Sequence, residues 1–257
     1  MNPLRGEIVF VTGASSGIGR ACARAFAREG AMLLLAARRI ERLERLEGEL
    51  RELGSAEVRT ACLDVRKEAD VARTVAALPD AWKRIEVLVN NAGLSRGLDP
   101  LPRGELADWN EMIDTNVKGL LHVDRAVLPH MVARGRGTVV HIGSIAGRQA
   151  YTGGNVYCAT KAAVRSLTEG LRLDLLGTGV RVCTVDPGMV ETEFSEVRFH
   201  GDRERAAEVY RGLQPLTADD VAEVVVFAAT RPPHVDLAEV LLLPTDQASA
   251  TQVRRRS

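Results

Sequence analysis

The chain has 257 residues, 46% hydrophobic and 26% charged, with 34 Lys plus Arg balanced by 34 Asp plus Glu. Zero net charge argues against bulk attraction to nucleic acid or to an acidic membrane surface. No apolar run approaches the ~18 residues of a membrane span. The expected elements then alternate along the chain. A strand at 7–12 follows the N-terminus too soon for a secretory leader. It runs into the turn Thr12-Gly13-Ala14-Ser15-Ser16-Gly17-Ile18-Gly19 and a helix near 18–29. A strand at 32–37 ends in Arg38-Arg39 before a helix at 40–53. A strand at 58–63 leads through Asp64-Val65 to a helix at 67–78. A strand at 87–90 enters Asn90-Asn91-Ala92-Gly93, and one long helix follows at 106–133. The remaining strands fall at 138–142, 180–185 and 240–243, with helices at 155–176 and 217–229.

Nearly continuous apolar strands signal burial on both faces, and regular alternation with helices signals a parallel sheet. Right-handed crossovers then favour an α/β fold: a single-domain, Rossmann-type, doubly wound seven-stranded parallel sheet with helices on both faces. A closed barrel would need an eighth strand. No linker divides residues 1–257, so one domain is expected. Segment 190–212 breaks the rhythm and is predicted to form a lid over a ligand site.

Cys22, Cys62, Cys158 and Cys183 form no CxxC pair, so buried free thiols in a cytoplasmic protein are expected. His122, His130, His141, His200 and His234 show no metal spacing, and no metal site is predicted. Trp82 and Trp109 read as packing residues, and Arg254-Arg255-Arg256 as a solvated tail.

The glycine turn carries the first functional signal. Gly13 permits a tight turn, Gly17 clears space for a pyrophosphate, and Gly19 lets helix and strand approach. The helix N-terminus offers free N–H groups to the phosphate, with Ser15, Ser16 and Ile18 beside it. An acid after the second strand would favour a ribose 2′-hydroxyl; Arg38 and Arg39 stand there instead and favour a 2′-phosphate. NADP(H) is therefore expected over NAD. Asp64, Val65, Asn91, Ala92 and Gly93 lie at strand C-termini, where adenine and ribose belong. Tyr157 and Lys161, at i and i+4, share one helix face. An ammonium beside a phenol is expected to lower the phenol's pKa and fit it for proton exchange with an alcohol. Ser144 could hold the reacting oxygen. Asn116, a poor helix former, could hold a water linking Lys161 to solvent.

With these motifs in order, the chain resembles the short-chain dehydrogenase/reductase family from end to end: TGASSGIG at 12–19, NNAG at 90–93, Asn116, Ser144, Tyr157-x-x-x-Lys161 and Pro187-Gly188. The resemblance implies hydride transfer between a nicotinamide and an alcohol or carbonyl, with Asn116, Ser144, Tyr157 and Lys161 as its tetrad. It also implies a nicotinamide and diphosphate wall over 187–194, including Pro187, Gly188, Val190 and Thr192. The segments at 143–161, 191–202, 215–223 and 241–249 are similar to NADP-dependent 3-hydroxy acid dehydrogenases, also called serine or L-allo-threonine dehydrogenases. The PTDQ tail is also similar to clavulanic acid dehydrogenase-like reductases, so a reductase for bulkier ketones or aldehydes is the alternative. A non-catalytic nucleotide-binding protein is a third reading, against which the intact tetrad speaks. Such relatives imply a homotetramer built on the two long helices. For a substrate carboxylate, Arg148, Tyr151 and Arg198 are the expected partners, beside Ser144.

Overall fold

The computed structural model describes residues 3–256; Met1, Asn2 and Ser257 of the expected 1–257 domain lie outside the described residues. Seven parallel strands form one sheet in the order β3-β2-β1-β4-β5-β6-β7. They are β1 (Ile8–Thr12), β2 (Met32–Ala37), β3 (Val58–Cys62), β4 (Ile85–Asn90), β5 (Gly137–Ile142), β6 (Val180–Pro187) and β7 (Glu239–Leu242). The strands are apolar almost throughout because both faces are covered. In β1, Val9 and Val11 enter one core with α1 (Gly17–Arg28), α2 (Ile40–Glu52) and α9 (Ala218–Ala229). Ile8 and Phe10 point the other way, into the core shared with α3 (Glu68–Ala76) and α5 (Gly119–Arg134). Among the described residues no helix is long and apolar enough to cross a membrane.

The expected helix over 106–133 is two helices. α4 (Leu106–Ile113) and α5 are joined by a π-helical turn at Asp114–Lys118. Asn116 in that turn is the cause. Its Oδ1 accepts from the Leu94 amide at 2.8 Å, and its Nδ2 donates to the Leu94 carbonyl at 2.8 Å. Nδ2 also donates to Thr160 Oγ1 at 3.0 Å. Such a wide turn inside an α-helix commonly marks a functional position. α6 (Asn155–Asp174) carries Tyr157 and Lys161 beside it.

Segment 190–212 holds two short helices, α7 (Phe194–Arg198) and α8 (Arg203–Glu208). Arg254, Arg255 and Arg256 are exposed, as expected of a solvated tail, and the last two are also hydrogen-bonded to the far end of segment 190–212. The Arg256 amide donates to the Gly212 carbonyl at 2.6 Å, the Arg256 guanidinium lies 3.3 Å from Asp246, and Arg255 donates to the Val209 carbonyl at 3.1 Å. Cys22, Cys158 and Cys183 are buried free thiols, but Cys62 is exposed at the end of the outer strand β3. The expectation that all four are buried fails there, because an edge strand presents one end to solvent.

Candidate functional site

The strand order reverses direction between β1 and β4, and a cleft opens past their C-terminal ends. It is a cavity of about 380 Å³. The glycine turn forms one wall. Gly13 has φ +66°, and a Cβ there would lie 2.8 Å from Asn91 Nδ2, so the turn requires glycine. A Cβ on Gly19 would lie 2.5 Å from the Gly13 carbonyl oxygen, which is the close helix–strand approach the sequence predicts. Gly19 itself stays behind the wall, while Gly13, Ser15, Ser16, Gly17 and Ile18 line the cleft. Thr192 closes over Gly17: its Cβ lies 3.3 Å from where a Gly17 Cβ would stand.

At one end lie Arg38, Arg39, Leu63, Asp64 and Val65. Arg39 NH2 donates to Ser16 Oγ at 2.8 Å, and Arg38 is about half exposed, with Glu111 at 3.7 Å. Asp64 is gripped by Arg66, whose Nε and NH2 donate to its two oxygens at 2.9 and 2.6 Å. The Arg66 hydrogen bond, against the pull of burial, holds the Asp64 carboxyl below its usual range. Thr115, not singled out in the sequence, lines the same region; its Oγ1 is buried without a partner. In the middle, Asn91, Ala92 and Gly93 line the cleft, and Asn91 Nδ2 donates to the Thr12 carbonyl at 2.9 Å.

At the other end stand Ser144, Tyr157 and Lys161, with Pro187, Gly188, Val190 and Thr192 opposite. Ser144 also caps the short turn Ile145–Gly147, its Oγ accepting from the Ala146 amide at 3.1 Å. Lys161 Nζ donates to the Ile142 carbonyl at 2.7 Å. Burial pulls its ammonium down to about 8, against the opposing pull of Asp186. Tyr157 is buried and packs against Phe194 of segment 190–212, with ring centroids 5.6 Å apart and the planes tilted by 59°. Burial pushes its phenol above the ordinary value; Tyr151 adds to the rise, while Arg198 and Ser144 oppose it. This direction is opposite to the one expected from the sequence. Lys161 directs its ammonium at the Ile142 carbonyl, and an apolar cluster of Leu94, Met112, Ala146 and Cys158 surrounds the phenol. The Asn116 amide is fully engaged by Leu94 and Thr160. These bonds tie the Leu94 backbone to Thr160 on α6.

Of the three expected carboxylate partners, two face the cleft. The Arg198 guanidinium lies 5.5 Å from the Tyr157 ring centroid and 5.0 Å from that of Phe194. Its NH2 donates to the Tyr151 hydroxyl at 3.2 Å, and its Nε is buried without a partner. Arg148 is excluded from this role. It lies outside the cavity wall, pairing with Asp186 at 2.7 Å and Glu239 at 2.5 Å. Sequence position alone could not separate a paired arginine from an available one. Sequence reasoning also missed Gln247, which lines the cleft and accepts from the Met189 amide at 2.8 Å. Its signal was present in the PTDQ tail.

The cleft fits a phosphorylated dinucleotide: a glycine-walled turn at a helix N-terminus, two adjacent arginines at one end, and Tyr157 with Lys161 at the other. Comparison with known proteins agrees. The family model for short chain dehydrogenases matches residues 7–202. An NADP-dependent 3-hydroxy acid dehydrogenase of Salmonella typhi is 49% identical over 244 residues, covering 95% of this chain and 97% of its own. Sulfoacetaldehyde reductase 2 of Chromohalobacter salexigens is 49% identical over 243 residues, covering 94% and 96%. The solved closed form of a serine dehydrogenase complexed with NADP+ superposes with a TM-score of 0.91 at 45% identity, covering 97% of this chain and all of that one.

Proposed function

The chain belongs to the short-chain dehydrogenase/reductase family, and from that premise we propose that it interconverts a short 3-hydroxy acid and its carbonyl partner. The enzyme class is an NADP-linked oxidoreductase acting on a CH–OH group. The substrate reading is carried by Arg198: a cation with an unpartnered buried donor, placed beside the Tyr157 ring in the cavity. A carboxylate held there leaves the hydroxyl-bearing carbon within reach of Tyr157. The relatives named for a hydroxy acid and for sulfoacetaldehyde both imply an acid group on the substrate.

Bound NADP(H) supplies the hydride acceptor or donor. The turn 13–19 takes the diphosphate at its N–H groups, and Arg38 and Arg39 take the 2′-phosphate. Asp64, Val65 and the run Asn91-Ala92-Gly93 take adenine and ribose. Pro187, Gly188, Val190 and Thr192 wall the nicotinamide end. Tyr157 takes the substrate hydroxyl proton in oxidation and returns it in reduction. Ser144 orients the reacting oxygen. Lys161 binds ribose hydroxyls and supplies positive charge next to Tyr157. Asn116 is a positioning residue, tying Leu94 to the helix that carries Tyr157. Segment 190–212 acts as the lid, with Phe194 and Arg198 as its cleft-facing side chains.

The test is NADP+ reduction with serine, allo-threonine, 3-hydroxyisobutyrate and 3-hydroxypropionate. Sulfoacetaldehyde and hydrophobic ketones are assayed in reverse. Turnover confined to the hydrophobic ketones would refute the reading. Arg198→Ala is expected to raise KM for the acids at least tenfold, the scale of a lost charge-assisted hydrogen bond, with a smaller effect on neutral carbonyls. An equal change for acids and neutral ketones would remove Arg198 from substrate binding.

A homotetramer is also proposed, through α5 and α6. Leu121, Val132, Leu173 and Leu176 on or just beyond these helices are exposed, up to 86% for Leu176. Light scattering is expected to give about four times the 27.8 kDa chain mass; a monomer would overturn this. The four free cysteines support the cytoplasm as its location.

A further inference from the structure

The lid reaches across the cleft mouth to the arginines assigned to the 2′-phosphate. Glu193, the residue before α7, accepts from Arg39 NH1 at 3.0 Å and from Arg42 NH1 at 2.7 and 3.0 Å. Arg39 gives its other bonds to the glycine turn, to Ser15 Oγ at 3.3 Å and Ser16 Oγ at 2.8 Å. Each nitrogen of its guanidinium thus donates at least one bond. The contact spans 154 residues of sequence and joins the end of β2 to the lid. Glu193 is also a wall residue of the cleft, next to Thr192 over Gly17.

A phosphate monoester brings nearly two negative charges and three strong acceptor oxygens. Arg39 spends four of its five donors on Ser15, Ser16 and Glu193, so a two-donor grip on a phosphate requires one of these bonds to give way. A carboxylate and a phosphate crowded on the same guanidinium also repel each other. One anion must yield. We propose that Glu193 is a specificity-determining residue: the 2′-phosphate of NADP(H) displaces its carboxylate from Arg39, leaving it on Arg42 alone, and thereby loosens the start of the lid, which a 2′-hydroxyl cannot do. Glu193 is thus an internal stand-in for the phosphate. It offsets part of the charge of Arg39 and Arg42 and keeps the lid docked until the phosphorylated nucleotide arrives. The proposal rests on NADP(H) binding in this cleft.

The sign of the effect separates this role from simple support. If Glu193 competes with the phosphate, removing its charge strengthens phosphate binding. If it props Arg39 in place, removing it weakens binding. Glu193→Gln keeps the size and one acceptor oxygen and removes only the charge. Calorimetry on the full chain would use 2′,5′-ADP and 5′-ADP as probes. The wild type is expected to favour 2′,5′-ADP. In the variant its affinity should rise about three- to tenfold, the scale of one partly exposed charge contact, while 5′-ADP affinity stays the same. Hydrogen exchange over 193–199 should quicken in the wild type with 2′,5′-ADP but not with 5′-ADP. In the variant it should be fast without either. Weaker or unchanged 2′,5′-ADP binding by the variant would overturn the proposal, as would lid exchange that ignores the 2′-phosphate. A wild type that fails to favour 2′,5′-ADP would instead refute the cofactor assignment beneath it, before any variant is made.

Discussion

Tyr157→Phe is expected to lower turnover by about 10²- to 10⁴-fold, the usual range for a positioned general acid–base group, while NADPH still binds, as its fluorescence on binding will report. The substitution removes one oxygen and leaves the ring that packs against Phe194. Packing is preserved, so the loss isolates proton transfer. Retained turnover would dismiss Tyr157 as the proton carrier. A pH dependence accompanies the prediction. Burial raises the Tyr157 phenol, so its neutral form persists to higher pH than in a free tyrosine. The neutral phenol is a proton donor, which suits carbonyl reduction near neutrality; the phenolate needed for alcohol oxidation gains as pH rises. Oxidation should therefore quicken between about pH 7 and 10, and reduction should slow. A pH profile with the opposite slopes would contradict the assignment. Lys161 works against a simple profile at the upper end. Its ammonium, held down to about 8 by burial, is lost above that pH and takes with it a positive charge near the phenol.

The second large effect lies away from the cleft. Asp124→Ala is expected to destabilise the fold by about 1–3 kcal/mol, as taking the acceptor from buried hydrogen-bond donors does. Asp124 on α5 and His141 on β5 are both buried, with His141 Nε2 3.0 Å from Asp124 Oδ2. His141 Nδ1 meets Thr168 Oγ1 on α6 at 2.8 Å. Asn90 Nδ2 donates to Asp124 Oδ1 at 3.1 Å, and Thr12 Oγ1 at the end of β1 donates to Asn90 at 3.3 Å. One carboxylate thus satisfies two buried donors in a network that spans the sheet and the helix carrying Tyr157. Alanine takes the acceptor from His141 Nε2 and one of two acceptors from Asn90 Nδ2, which keeps the Leu120 carbonyl at 3.0 Å. Denaturant unfolding will check this, and a loss below about 1 kcal/mol would show that the network relaxes around the gap. Replacing Asp124 and His141 together by apolar residues should recover part of the loss, since no imidazole is stranded, Asn90 Nδ2 keeps the Leu120 carbonyl and Thr168 Oγ1 keeps the Val164 carbonyl.

The sheet was legible because its strands are buried on both faces and so read as apolar runs. Its parallel, doubly wound character followed from the regular alternation of strands and helices. The cofactor cleft was legible for a related reason: glycine at 13 and 19, and arginine at 38 and 39, serve local geometry that short motifs express. What was hidden depends on partners distant in sequence. The break at Asp114–Lys118 leaves the helical character of the chain intact, and Asn116 was its one trace. Arg148 looked as available as Arg198, because 30 of the 34 basic residues are arginine and only folding brings Asp186 and Glu239 to it. The contact of Glu193 with Arg39 and Arg42 leaves no mark in the sequence at all. Nor did the sequence reveal the direction of the Tyr157 shift. It shows the lysine one turn away, but not the apolar cluster that closes around the phenol.

The π-helical turn at Asp114–Lys118 has a consequence for how this chain can be cut and recombined. An α-helix advances about 100° per residue, and a turn widened by one residue is a phase step of that size. The stretches before and after it therefore obey two separate angular registers, although they look like one helix. Trp109 and Met112 face the small cluster around Tyr157 in the first register; Val123, Val127 and Met131 face the main sheet core in the second. A chimera joined within residues 114–118, or one residue lost there, would rotate one set of side chains away from its partners while leaving every apolar residue in place. The five residues form an indivisible joint, and exchange between relatives should respect its ends.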